Sequence, residues 1–246
     1  MSKINYDKIS ELYDSVRSGD PEVIAYILEN KLLGHESKVL EIGCGSGNNT
    51  VLMAAATEAE VHGLDQSRGM LGKAEKKSER IHFIQGDAVT LEGIKDESFD
   101  AVYMVDVIHH IGDIATMFRN IYRVLNKEGM VFVFTDTHEK IRDERLTCKY
   151  FPETIKVELE RYQSTDRILE AMKECGFKNT KLEKLKCEER LDAGDYLIKV
   201  AETKGYSVFH LISDDAIERG IQRIREDLKK GPVAYMPNTP VFSGAK

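Results

Sequence analysis

No stretch of this chain approaches the roughly 20 consecutive apolar residues that a membrane helix needs. The longest apolar runs are Val51–Ala56 and Met130–Phe134. The opening Met1-Ser-Lys-Ile-Asn-Tyr-Asp-Lys lacks the apolar core of a secretory signal. Cysteine is sparse: Cys44, Cys148, Cys175 and Cys187 stand apart, with no C-x-x-C pair. That pattern speaks against a disulfide framework or a zinc knuckle, and a reducing cytoplasm is the expected setting. Positive charge is in deficit, with 35 Lys and Arg against 42 Asp and Glu and a net charge of −7. A general phosphate-backbone binder needs a basic face, so nucleic acid is not an expected partner. Neither an internal repeat nor a low-complexity tract is present, and 5 prolines with 18 glycines suit an ordinary folded domain. What remains is a chain of 246 residues, 41% apolar, long enough to bury a core without metal or disulfide staples. That length fits one large domain, or one domain with a small cap.

Short apolar or β-branched runs alternate with helical patterns from about residue 22 to residue 190. Ser37–Ile42 reads as a buried strand and Thr50–Ala56 as a helix packed on a sheet. Val61–Leu64, Ile81–Gln85, Phe99–Val105 and Met130–Thr135 read as further strands, the last almost wholly apolar, as central parallel strands are. Ser67 is a candidate N-cap for a helix carrying Met70, Leu71 and Ala74. Ile114, Met117, Phe118, Ile121 and Leu125 recur at helical spacing, with Gly129 expected to close that helix. Ser164 or Thr165 caps a helix through Ile168, Leu169 and Met172 that stops at Gly176, and Thr180–Cys187 is expected to be a sixth strand. The alternation implies right-handed crossovers and an α/β architecture with a doubly wound, mostly parallel sheet.

Two stretches break the alternation. Residues 137–163 read as a charged connection around Tyr150-Phe151-Pro152. Residues 191–231 carry Ile217, Ile221, Ile224 and Leu228 as one helical stripe, ending at Gly231-Pro232. They are expected to form a helical cap inserted before a last strand, with Val233–Met236 and Val241–Phe242 as the strand-like pieces.

The most informative segment is Val39-Leu-Glu-Ile-Gly43-Cys-Gly45-Ser-Gly47-Asn-Asn-Thr50. A strand runs into three glycines spaced by two, then into a helix. Glycines there admit positive φ and a close ligand approach, and the helix N-terminus behind them favours an anion. The G-x-G-x-x-G of nicotinamide-binding dehydrogenases requires a third glycine at position 48, which is Asn48. Asp65 ends the second strand, where an acid can take both ribose hydroxyls, and Asp87 ends the third, where a carboxylate or its backbone can read an adenine edge. An Asp after a strand is also a common cap, so each acid alone has a structural reading.

Taken together, these segments resemble the class I S-adenosylmethionine-dependent methyltransferases over roughly residues 35–136. VLEIGCGSG (Val39–Gly47) resembles the first motif of that family, HGLDQS (His62–Ser67) with Met70 the ribose-binding segment, and QGDAVTL (Gln85–Leu91) the adenine segment. Phe99–Ile111 and Arg123–Asp136 resemble its fourth- and fifth-strand motifs; where the family often has two glycines before the fifth strand, this chain has Glu128-Gly129. The resemblance implies a Rossmann-like seven-stranded fold with S-adenosyl-L-methionine as cofactor. It implies that Gly43, Gly45 and Gly47 line the methionine part and that Glu41 orders the loop. Asp65 would bind the ribose diol, Gln66 and Met70 would flank the adenine, and Asp87 with Ala88 would contact its rim. Val105 would offer its backbone near the methionine amine. Upstream, Tyr13-Asp-Ser-Val-Arg17 resembles the family's N-terminal Y-x-x-x-R segment. In that reading residues 1–34 cover the cofactor, with Tyr13 over it and Arg17 on its carboxylate; the alternative is an amphipathic helix with an exposed arginine.

Methyl transfer from a sulfonium is one displacement, so alignment and exclusion of water supply most of the rate gain. A base is needed only where the acceptor must lose a proton. His109 and His110 follow the fourth strand and are the candidate catalytic residues, His110 ahead of His109; the alternative is that both merely pack beside the cofactor. Adjacent histidines on a short segment are expected to point apart, so no metal site is expected. Asp136 and His138 after the fifth strand are weaker catalytic candidates and read rather as solvated connection residues. A thiophilic acceptor site built from the cysteines is an option beside their ordinary burial as small apolar residues. Tyr196, Tyr206, Phe209 and His210 either line an acceptor pocket or pack the insertion, and packing is favoured for most of them. The chain therefore reads as a cytoplasmic methyltransferase of a small molecule with an O, N, C or S nucleophile. A non-catalytic S-adenosylmethionine-binding or regulatory protein and an RNA or protein methyltransferase remain as alternatives. The acceptor's identity and the oligomeric state are left open.

Overall fold

A computed structural model describes residues 18–186, 192–236 and 238–246. Among them a seven-stranded sheet forms with strand order β3-β2-β1-β4-β5-β7-β6. The strands are β1 (Lys38–Ile42), β2 (Glu60–Asp65), β3 (His82–Gln85), β4 (Phe99–Val105), β5 (Leu125–Phe134), β6 (Lys178–Lys186) and β7 (Asn238–Ala245). β1 to β5 pair in parallel, while β7 runs antiparallel between β5 and β6. The order reverses between β1 and β4, which is where a doubly wound sheet opens a crevice at the carboxyl ends of its strands.

The period of two along each strand divides the core into two layers. Leu40, Ile42, Val102, Met104, Val131 and Val133 face one side and pack against α4 (Ile114–Val124) and α8 (Thr165–Glu174). Val39, Ala101, Tyr103, Phe132 and Phe134 face the other and pack against α1 (Pro21–Asn30) and α2 (Asn48–Ala56). Fully buried side chains of this size are worth about 1.5–3 kcal/mol each. Local signals start the helices. Ser67 Oγ accepts from Met70 N–H at the head of α3 (Arg68–Ala74), Asp113 from Thr116 N–H at α4, and Ser164 from Arg167 N–H at α8.

Several expectations shift. Gly129 does not cap α4, which ends at Val124 because Leu125 turns extended to pair with Phe99. Residues 126–129 then loop out before Met130 pairs with Ala101, and Gly129 lies inside β5. Val233–Met236 is not a strand; the pairing residues are Asn238–Ala245, which contain Val241–Phe242. The sixth strand is described through Lys186, and Cys187 lies outside the described residues. Residues 137–163 are not a bare connection. They fold into α5 (His138–Asp143), α6 (Leu146–Tyr150) and α7 (Glu153–Arg161). Between β6 and β7 come α9 (Ala193–Glu202), a 3-10 turn at Ser207–His210 and α10 (Asp214–Leu228). Tyr150 and Phe151 join Val200, Phe209, Ile221 and Ile224 in a third apolar cluster, so the two excursions pack as one helical layer.

Candidate functional site

The glycine turn leaves β1 with Gly43, Gly45 and Gly47 at φ +70, +55 and +81. Gly43 has no room for a side chain: a Cβ there would lie 2.4 Å from Val107 Cγ2. Gly43 and Cys44 donate their N–H groups to Leu64 O at 2.7 and 3.0 Å, which stitches the turn to β2. Gly47 is the N-cap of α2 and offers no side-chain cap to it.

Asp65 closes the turn from the side. Its Oδ2 accepts from Gly45 N–H at 2.9 Å and its Oδ1 from Ser67 N–H at 2.8 Å. One carboxylate thus joins the first two strand ends. Glu41 lies beneath the turn, 3% exposed. Thr50 and Tyr103 both donate to its Oε2, at 2.5 and 3.0 Å. Burial outweighs those bonds and pushes its carboxyl up to about 8, with the charge of Asp65 adding to the rise. Glu41 therefore ties β1 to α2 and β4. Gly19-Asp20 lies against the start of α2, where Asp20 N–H donates to Asn49 Oδ1 at 2.7 Å. Tyr13 and Arg17 lie outside the described residues.

Along the other strand ends, Met70 is buried and Gln66 is exposed, its carbonyl accepting from Gln85 Nε2 at 3.3 Å. Asp87 is exposed, and its Oδ1 accepts from Val89 and Thr90 N–H, so it caps the turn that holds the half-buried Ala88. Val105 is half-buried at the end of β4. His109 and His110 sit on a 3-10 turn at Ile108–His110. Contrary to expectation their rings do not point apart: the centroids are 4.0 Å apart. His109 is half-buried and stacks on Tyr162 at 4.3 Å, while His110 is exposed. Among the described residues no cluster of His, Cys, Asp or Glu has the arrangement of a metal site.

Asp136 and His138 are half-buried and paired within the protein. Asp136 Oδ1 lies 2.6 Å from Lys140 Nζ and its Oδ2 3.3 Å from Arg145 Nε. Arg145 Nη1 and Arg161 Nη1 approach the carboxylate of Glu158 at 3.3 and 3.7 Å. Burial raises the Glu158 carboxyl, against the pull of Arg145 and Arg161. His138 Nε2 meets Tyr162 O at 2.8 Å. Sequence reasoning missed Arg145, Glu158, Arg161 and Tyr162; the only signal was their charge and aromaticity in a stretch without periodicity. The described cysteines do not gather. Cys44 sits in the turn, Cys148 beside Ile141 and Tyr162, and Cys175 against the sheet core. Phe209 packs on Phe151 at 4.9 Å, Tyr206 donates to Tyr196 at 3.4 Å, and His210 meets Lys204 O at 3.0 Å.

Residues 40–133, which hold the turn, both strand-end acids and the histidine pair, match the family model described as "Methyltransferase domain". Over these residues the chain is similar to the methyltransferase-domain family. Around it, the fold is that of a putative methyltransferase from an antibiotic biosynthesis pathway of Anabaena variabilis. That structure is 19% identical, with a TM-score of 0.75, over 93% of this chain and 98% of the other. Phosphoethanolamine N-methyltransferase 2 of Haemonchus contortus, solved with S-adenosyl-L-methionine, is 21% identical with a TM-score of 0.65. That match takes in 100% of this chain and 60% of the other. Sterol 24-C-methyltransferase of Aspergillus fumigatus is 29% identical over 142 residues, or 51% of this chain and 37% of that one. The chain spans between about a quarter and two fifths of the curated relatives it matches. The methyltransferase domain accounts for the sheet up to β5; the helices of 137–163 and 192–236 lie beyond the matched residues.

Proposed function

We propose that this chain transfers the methyl group of S-adenosyl-L-methionine to a small-molecule acceptor. The observation that carries this reading is the cradle at the carboxyl ends of β1 and β2: a side-chain-free turn tied to the Asp65 carboxylate. The residues fit the group. The turn has no Cβ at Gly43, Gly45 or Gly47, and Asp65 sets a carboxylate, an acceptor on both oxygens, at the end of β2. When bound, the cofactor supplies a methyl group already activated by the sulfonium charge.

The chain's own residues then have positional work. Gly43, Gly45 and Gly47 let the backbone approach the methionine part, and Glu41 holds the turn in place from below. Asp65 takes the ribose hydroxyls, Gln66 and Met70 flank the adenine, Asp87 and Ala88 meet its rim, and Val105 presents its backbone to the amine. The segment that carries Tyr13 and Arg17 covers the cofactor, and the contact of Asp20 with Asn49 supports that path; Pro21–Asn30 instead packs into the second core layer. The helical layer of 191–231 caps the acceptor side and excludes water. His110 orients the acceptor or receives its proton, with His109 held behind it by Tyr162. The acidic balance and the lack, among the described residues, of a helix able to cross a membrane support a cytoplasmic setting and a small molecule rather than nucleic acid.

Calorimetry with S-adenosylmethionine and S-adenosylhomocysteine tests this reading. Asp65→Ala should weaken binding at least about tenfold, because the diol and two backbone N–H groups lose their acceptor. Unchanged affinity would remove the ribose assignment. In transfer of a labelled methyl group, His110→Ala should lower turnover while leaving cofactor affinity intact.

A further inference from the structure

The sheet order decides where an acceptor must approach. The turn after β1 and the acids after β2 and β3 occupy one half of the crevice, and β4 and β5 lie on the other side of β1. On that side the segments after β4 and β5 meet α5–α7. Tyr162 stacks on His109, the Arg145 guanidinium lies 5.7 Å from the centre of the Tyr162 ring, and Asp136 at the end of β5 pairs with Arg145.

This wall pairs three cations with two carboxylates. The Arg161 side chain is 6% exposed, and its Nη2 donates to Ser207 Oγ at 2.9 Å. Its Nη1 makes no hydrogen bond to any described residue, and neither does the buried Nη1 of Arg145. Both nitrogens flank a single carboxylate, that of Glu158, whose own Oε2 also makes no hydrogen bond. The ion pairs of the cluster set the cations of Lys140, Arg145 and Arg161 against the carboxylates of Asp136 and Glu158. Buried guanidinium N–H groups without a hydrogen bond are costly, and paired oxygens of a carboxylate or phosphate are what their fork geometry satisfies. Arg145 and Asp136 keep 16% and 13% of their side-chain surface, which marks where the cluster meets solvent.

We propose that Arg161 and Arg145 form an anion subsite on the acceptor side of the crevice, so that the methyl acceptor is a small molecule bearing a carboxylate or a phosphomonoester. This rests on the methyltransferase reading. An uncharged apolar acceptor would bring neither Nη1 group a hydrogen-bond partner.

The test uses the full chain saturated with S-adenosylhomocysteine, titrated with inorganic phosphate, acetate and uncharged acetamide. Heat and the NMR signals of the His109 and His110 ring C–H groups are followed together. At least one anion should saturate and move the His109 signals, acetamide should do neither, and the stronger anion separates phosphomonoester from carboxylate. Arg161→Gln should weaken anion binding tenfold or more; should that variant fold poorly, Arg161→Lys, which keeps the charge but loses the fork, should weaken it about threefold. Absence of saturable anion binding, or equal binding by the Arg161 variant, overturns the subsite. Failure of S-adenosylhomocysteine itself to bind overturns the methyltransferase reading, and the subsite with it.

Discussion

Glu41 is a carboxyl whose two donors converge on one oxygen. Thr50 and Tyr103 both reach Oε2, so Glu41→Gln can keep both bonds through its amide oxygen while removing the charge. Burial lifts the folded-state carboxyl from 4.5 to about 8, so the folded protein holds a proton that the unfolded chain releases. The stability this proton supplies is fully present below about 4.5 and is lost as pH rises through about 8. Resistance of the wild type to urea should therefore fall between about pH 5 and 8 and level off above that, and Glu41→Gln should flatten that decline. Parallel curves for the two proteins would show that Glu41 is already ionised in the fold. At this scale the sequence showed which residues cluster at the strand ends, because a glycine turn and a strand-end acid are local patterns. It did not show that Asp65 would bond Gly45, nor that Asp136 would pair with Arg145, because those partners come from separate elements.

At the scale of elements, α10 shows how tertiary contact overrides propensity. Gly220 lies inside that helix, where Ala would ordinarily add about 1 kcal/mol of stability. Here a Cβ would sit 2.1 Å from Cδ1 and Cε1 of Phe151, which is fully buried. Gly220→Ala is expected to cost about 1–3 kcal/mol by overpacking, read from urea midpoints at constant slope. A gain instead would mean that α6 and α10 are free to separate. The strand–helix alternation up to β5 was legible because its apolar periods run long enough to declare themselves. Residues 137–163 were not, since α5 spans 6 residues and α6 only 5, too few for a period to emerge. Gly129 misled for a related reason. A glycine after a helical stripe reads as a stop, whereas pairing of Leu125 with Phe99 had already ended the helix.

For the whole molecule the decisive strand is β7. It is interior, with β5 on one side and β6 on the other, and Val241 and Phe242 have no exposed surface. Only Val241–Phe242 stood out in the sequence, because Asn238, Thr239, Ser243 and Gly244 carry no strong strand signal of their own. Removal of residues 238–246 should abolish the cooperative thermal transition followed by circular dichroism, since two ladders and part of both core layers go with it. A retained cooperative transition would mean that β5 and β6 can pair directly.

The position of β7 also sets an order of events during synthesis. Among the described residues β6 has β7 as its only neighbour in the sheet, so after residue 186 is made that strand waits for residues 238–245 before it pairs. Until then β5 presents an open edge, while the segment in between can already collapse through α9 and α10. Closing so long a loop is slow, and unpaired edges invite association between chains. The nascent protein is thus more exposed to aggregation before β7 emerges than after it, and a chaperone that shields strand edges would act in that interval.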